Sequence, residues 1–339
     1  MDRKYRMVGY VVCAVLLAWG KGCTPPQEPF AQLRADASVK RGLSRIEAEE
    51  YDKALEEFQR AVELNPKLAL AYSKIGDIHQ GKGDFSAAAK AFAEAVKINP
   101  FNFDYSFSLA QTYHKLTRFA DAVRAYLHAC EIEPKNYQAR LNLGVCYHQA
   151  SELDNAIDCY IKATELDSTR PAAYINLGAA YDSQHQYYRA IHAYNEALER
   201  DPNQPMVLVN LATTLIKQER FPNAIKALER AVELNPKSTV AYERLGYCYF
   251  RLRDYEKALA NYEWAGTLEP KKSQAYAGLG VVRMAMYLQD QNNLEIRQLA
   301  IENWRRSLEL NPNQPKIRNL VAKYQIPLDH TTAILMDAP

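Results

Sequence analysis

Three asparagines stand 34 residues apart: Asn142, Asn176 and Asn210. A primary amide carries two donors and an acceptor oxygen with two lone pairs. A row of such amides can donate and accept at once, toward a bound chain or only toward the water that solvates a helix. A second row, His114, His148 and Asp182, has the same spacing and the residue types that ligate metals or move protons. Gly81-Lys82-Gly83-Asp84 brings a lysine between glycines, without the GxxxxGK[ST] spacing that cradles a phosphate. What these residues can do depends on the elements that carry them, and the common step of 34 identifies those elements.

The step is written most plainly in proline: Pro66, Pro100, Pro134, Pro202, Pro236 and Pro270, with Ser168 in the missing place. A strict period of this size marks a stacked repeat protein. With each proline as position 32 of a 34-residue repeat, seven regular repeats cover 35–68, 69–102, 103–136, 137–170, 171–204, 205–238 and 239–272. An eighth, 273–314, is longer by 8 residues near 288–295, where an extended turn is expected. Position 8 is glycine or alanine throughout, as in Gly144, Gly178 and Ala212. Position 20 is alanine, position 24 is bulky (Phe58, Tyr160, Tyr194, Trp304) and position 27 is small.

Positions 20, 24 and 27 stand at i, i+4 and i+7, one stripe of a helix, and positions 4, 8 and 11 form a second stripe. A short polar turn separates them, so each repeat is a pair of antiparallel helices, A and B. Proline at position 32 ends helix B because it cannot donate into a continuing helix. Pro171 and Pro205 fall where the next helix A begins, at its first position. Small residues at positions 8 and 20 let the pair approach closely, and the position 24 rings fill the remaining space.

Tyr174, Leu177, Gly178, Tyr181, Ala190, Tyr194, Ala197 and Pro202 together resemble the tetratricopeptide repeat, and the resemblance runs over residues 35–314. It implies an all-α fold, a right-handed α-solenoid superhelix of eight helix-turn-helix repeats, with 315–326 as a C-terminal capping helix and 327–339 as a tail. It also implies a protein-binding scaffold without catalysis or cofactor, whose A helices line the working face. The asparagine row is similar to the ladder in the repeats of O-GlcNAc transferase, which implies peptide contact at Asn142, Asn176 and Asn210. Apolar neighbours on that face are Phe107, Leu141, Val145, Ile175, Val209 and Tyr247, with Ile216 and Phe250 beside them. The family's clamp for C-terminal carboxylates would need Lys and Asn where this chain has Phe107 and Gln111, or Leu141 and Val145, so that specificity is not expected. The His114, His148 and Asp182 row reads as groove lining, not as a metal site, because packed helices stand roughly 8–10 Å apart and one ion would strain to reach all three.

The N-terminus is of another kind. Arg3, Lys4 and Arg6 precede an apolar run from Val8 to Trp19, too short to span a bilayer comfortably, and small residues then lead to Cys23. This resembles a bacterial lipoprotein signal over 1–22, cut before Cys23, which would carry the lipid, with 23–34 as a tether. Gly20 and Lys21 depart from the usual pattern. Thr24 after the cysteine implies an outer membrane location facing the periplasm; the alternative is a periplasmic or secreted protein. The layout is similar to repeat-bearing lipoproteins that help assemble pilus secretins or bring cell-wall hydrolases to their targets, and nothing in the residues chooses between them.

Residues 1–22 hold four basic residues and one acidic residue, so without them the formal charge falls from +2 to −1. The basic stripe of a nucleic-acid binder is missing. Cys130 and Cys146 fall in adjoining repeats where a disulfide can be weighed, but the six cysteines form no disulfide framework. The expected function is a lipid-anchored adaptor that holds an extended segment of an envelope protein, binding neither nucleic acid nor a small-molecule substrate. The alternatives are a self-associating component of an envelope assembly and a regulatory repeat module of a glycosyltransferase-like complex.

Overall fold

The computed structural model describes residues 30–325. The expected signal, Cys23 and the tail lie outside the described residues. These residues are all-helical, with 17 helices and no strand among them. They fall into two compact units, one ending at Pro134 and one starting at Lys135. The N-terminal unit holds α1 (Ala31–Glu47), α2 (Tyr51–Leu64), α3 (Ala69–Gly81), α4 (Phe85–Ile98), α5 (Phe103–Lys115) and α6 (Phe119–Ile132). The C-terminal unit holds α7 (Tyr137–Gln149), α8 (Leu153–Leu166), α9 (Pro171–Ser183), α10 (Tyr187–Arg200), α11 (Pro205–Lys217), α12 (Phe221–Leu234), α13 (Thr239–Arg251), α14 (Tyr255–Leu268), α15 (Ser273–Gln289), α16 (Leu294–Leu310) and α17 (Pro315–Gln325). In each unit odd-numbered helices are the A helices and even-numbered ones the B helices, apart from the terminal α17.

In six of the eight pairs glycine at position 8 leaves room for the position 24 ring, while Ala110 stands opposite Tyr126 and Ala212 opposite Leu228. A Cβ added at Gly144 would lie 2.6 Å from the Tyr160 ring, and one at Gly178 would lie 2.7 Å from the Tyr194 ring. These rings are buried, as are Phe58, Phe92 and Trp304 in other repeats. Helix ends follow their residues. Pro171 and Pro205 start α9 and α11, while the side chains of Asn102 and Asn136 accept from the backbone N–H groups of Tyr105 and Ala139, each at 3.0 Å, and cap α5 and α7.

The A-to-B turns carry a requirement that their polar sequences do not display. Glu49, Gly83, Thr117, Ser151, His185, Glu219 and Arg253 all have φ between 57° and 80°. The left-handed residue ends helix A so that the next N–H groups turn back onto it: Ser151 donates to the His148 carbonyl at 3.0 Å and Glu152 to that of Tyr147 at 2.9 Å. One of the seven is glycine.

Two expectations change. Ala31 to Arg34 are the first turn of α1, so the segment expected as tether over 23–34 already includes helix. The extra residues of repeat 8 do not make a long turn. They lengthen α15 and α16 to 17 residues each, against 13 and 14 in the preceding pair. The physical reason is that Met284, Tyr287 and Ile301 continue the apolar stripes and bury with Trp304 and Val321. The four cysteines among the described residues are free and buried.

Candidate peptide-binding face

The A helices of the C-terminal unit, α7, α9, α11 and α13, stand side by side. They are joined by polar bonds from one helix to the next. His148 Nε2 lies 3.3 Å from Ser183 Oγ. Thr214 Oγ1 donates to Asp182 Oδ1 at 2.9 Å, and Lys217 pairs with the same carboxylate. Arg244 Nε donates to Thr213 Oγ1 at 2.7 Å. Arg251 bonds Glu219 Oε1 and Tyr247 Oη, each at 2.8 Å, and its guanidinium lies 4.6 Å from the centre of the Phe221 ring. Residues that read from sequence as groove lining are therefore largely committed to holding the helices in register. Burial holds the His148 imidazole below its ordinary value of 6.5. His114 lies in the N-terminal unit beside Phe119. Thr213, Thr214 and Ser183 escaped the sequence reading, since a hydroxyl one or two places off the asparagine row carries no periodic signal.

The asparagines differ from one another. Asn142, on α7, accepts from Gln138 Nε2 at 2.8 Å one turn away. Asn176, on α9, and Asn210, on α11, are half-buried, and their side-chain amides make no hydrogen bond among the described residues. Arg244 occupies the same place one repeat further on, with its pKa lowered by burial, and Gly278 the place after that. A side chain at Gly278 would run into the Tyr262 ring.

The apolar neighbours divide into two groups. Leu141 and Val209 are 7% and 5% exposed and belong to hydrophobic cores, so they are not available to a ligand. The reason is that position 5 faces the neighbouring helix pair as well as the A-helix face. Val145 and Ile175 are half-buried and pack against those cores. Tyr247 is 36% exposed, with its hydroxyl taken by Arg251. Phe107 lies on α5 of the N-terminal unit, stacked on Phe103 at 5.2 Å and edge-on to Tyr126 at 5.7 Å.

Gly81-Lys82-Gly83-Asp84 is an A-to-B turn. Gly83 takes the left-handed conformation, Asp84 caps α4 by accepting from Ala87 N at 3.0 Å, and Lys82 pairs with Asp52. Among the described residues, no three His, Cys, Asp or Glu side chains are grouped to hold a metal ion. No helix among them is long and apolar enough to cross a membrane.

Known proteins supply the comparison. Sequence profiles for the TPR repeat match residues 42–83 and 146–185, and tetratricopeptide repeat profiles match 73–132 and 125–158. The profile of subunit 3 of the anaphase-promoting complex, or cyclosome, matches 183–265. No curated protein matches the chain. Of solved structures, the C-terminal part of a TPR repeat-containing protein from Cytophaga hutchinsonii is 18% identical. It covers 71% of this chain and 99% of its own, with a TM-score of 0.61. The Cut9–Hcn1 hetero-tetramer of the anaphase-promoting complex is 18% identical, covering 81% of this chain and 52% of that one at a TM-score of 0.52. YrrB, a TPR protein with an unusual peptide-binding site, is 26% identical over 58% of this chain and 98% of its own, at a TM-score of 0.49. The repeat profiles, the paired helices and the ring-over-glycine packing agree: this chain is built of tetratricopeptide repeats.

Proposed function

We propose that this protein is a non-catalytic scaffold that holds an extended segment of another protein against the A-helix face of its C-terminal unit. The observation that carries this reading is the pair Asn176 and Asn210. Two half-buried amides, one repeat apart at the same helical position, have no partner of their own. An amide that is partly desolvated and unsatisfied gains from a peptide backbone that both donates and accepts. Half-buried Val145, Ile175 and Ile216 supply apolar contact beside them. Asn142 joins by exchanging its bond with Gln138 for the ligand.

The same proposal places the protein in a cell envelope, anchored through lipid on Cys23, with an envelope protein as the partner. Anchoring concentrates both partners at one surface, where modest affinity is enough. Two tests apply. Mass spectrometry of the mature N-terminus is expected to show diacylglycerol on Cys23, and an unmodified cysteine removes the anchor from the proposal. Capture from envelope extract is expected to recover a protein with the wild type and lose it with Asn142→Ala, Asn176→Ala and Asn210→Ala combined. Equal recovery by both rejects the amide row as the binding site. Against the captured partner, Asn176→Ala with Asn210→Ala should weaken binding roughly 5- to 150-fold, as two hydrogen bonds of about 0.5–1.5 kcal/mol each require.

A further inference from the structure

We propose that the segment held on the A-helix face is acidic, and that the Arg244 guanidinium reads a side-chain carboxylate in it one repeat beyond Asn210. This inference rests on the peptide-binding reading of that face and adds the chemistry of the partner. Charge separates between the two kinds of helix in the C-terminal unit. The A helices α7, α9, α11, α13 and α15 carry five Lys and Arg against two Asp and Glu, a net +3. The B helices α8, α10, α12, α14 and α16 carry nine Lys and Arg against twelve Asp and Glu, a net −3. The near-neutral chain is therefore asymmetric, and the helices that carry the amides are the ones that attract anions.

Within that excess, most cations are already matched. Lys217 pairs with Asp182, Arg251 with Glu219 and Arg283 with Glu263. Arg140 stands at position 4, off the amide row. Arg244 is on the row, half-buried, and makes no ion pair among the described residues. Its Nε donates to Thr213 Oγ1 at 2.7 Å, which anchors the guanidinium, and its two terminal nitrogens have no partner among the described residues. Glu243, next to it in the chain, is engaged with Lys272 at 3.4 Å. The fork of parallel N–H groups on a guanidinium matches the oxygen pair of a carboxylate. Half-burial removes part of the competing water, so a carboxylate there gains more than it would on an open surface. The face runs on past Arg244 into α15, with Gly278 at the next place of the row. An extended segment therefore passes over Arg244, and the carboxylate is that of an Asp or Glu side chain.

The experiment selects peptides from a random display library, fused at their C-termini, on the full chain and on the chain with Asn176→Ala and Asn210→Ala. We expect the wild type to enrich peptides that the double variant does not hold, and these to share an Asp or Glu at one place. In a synthetic copy of such a peptide with an amidated C-terminus, changing that acid to its amide should weaken binding to the wild type roughly 10- to 150-fold, as a hydrogen bond to a charged group requires. Arg244→Gln should weaken the acidic peptide by a similar factor and leave the amide peptide unchanged. Equal binding of the two peptides by the wild type overturns the proposal, whatever Arg244→Gln does to the fold. Equal weakening of both by an Arg244→Gln chain that keeps the wild-type urea midpoint assigns the acid to another cation and overturns it as well. If that midpoint falls, Arg244→Lys decides in its place: preference for the acidic peptide supports the proposal and loss of preference overturns it. Peptides that bind through the asparagines with no acid in common overturn this inference and leave the groove standing. Recovery of the same peptides by the wild type and the double variant, or of none by either, overturns the groove reading and this inference with it. An acid enriched only as the last residue, in a second library with free C-termini, assigns Arg244 to a terminal carboxylate and overturns the side-chain source.

Discussion

In the repeat of α9 and α10, the packing depends on the lack of a single methyl group at Gly178. Gly178→Ala would set a Cβ 2.7 Å from the Tyr194 ring, and the ring is buried with no room to withdraw. The expected cost is about 1–3 kcal/mol, read as a lower urea midpoint. Gly81→Ala is the matched control, since nothing lies within 4 Å of its added Cβ. Its midpoint is expected to hold or rise. Protonation offers a second test at this scale. Burial lowers the His148 pKa below 6.5, so between the two values the unfolded chain binds more protons than the folded one. The stability that His148 contributes is fully present above about pH 6.5 and is lost as pH falls through the lowered native value. The drop in urea midpoint between about pH 7.5 and about pH 5.5 should be smaller in His148→Gln than in the wild type. An equal drop would show that the imidazole is not the group responsible. The buried Cys146 thiol, pushed up to about 12 by desolvation, is expected to resist alkylation in the folded chain at neutral pH.

For the helix pair, the deciding feature is the left-handed residue between A and B. Ser151 adopts φ 64° with a side chain, at a conformational cost of roughly 1–2 kcal/mol for an L-residue, whereas Gly83 adopts it freely. Ser151→Gly should therefore raise stability by about 0.5–1 kcal/mol, and Gly83→Ala should lower it by a similar amount, although no atom lies near enough to clash. The last helix tests the capping role. Val321 of α17 is buried with Met284, Tyr287, Ile301 and Trp304, and Arg297 Nη2 donates to the Tyr324 carbonyl at 2.7 Å. Val321→Asp places an unpaired carboxylate among apolar side chains, for about 3 kcal/mol. In a repeat stack each element is held by its neighbours. The loss should therefore appear in hydrogen exchange as faster amides in α15 and α16, with α7 to α10 unchanged.

Across the whole molecule the chain is near neutral, at +2 or, without residues 1–22, −1. No duplex DNA binding is expected at physiological salt in a mobility-shift assay, since affinity for phosphate backbones comes from clustered cations. Much of the architecture was legible in sequence for a physical reason. A 34-residue period repeats the same local packing problem, so glycine at position 8, alanine at position 20 and a ring at position 24 restate one solution many times. That repetition determined the helix pairs, their ends two residues before Pro66 and Pro202, and the class of fold. Features that do not repeat were decided only in three dimensions. Length added to repeat 8 went into helix, not turn, because its apolar residues found a core to enter. Leu141 and Val209 share a face with the asparagines in the periodic pattern, yet their burial depends on the neighbouring pair, which periodicity within one helix does not encode. Asn142, Asn176 and Asn210 are one residue type at one spacing, and only their neighbours separate them: Gln138 stands one turn from Asn142, while Asn176 and Asn210 meet no such partner. Spacing along the chain sets where a side chain projects, and the tertiary contacts around it decide whether it is already engaged or open to a partner.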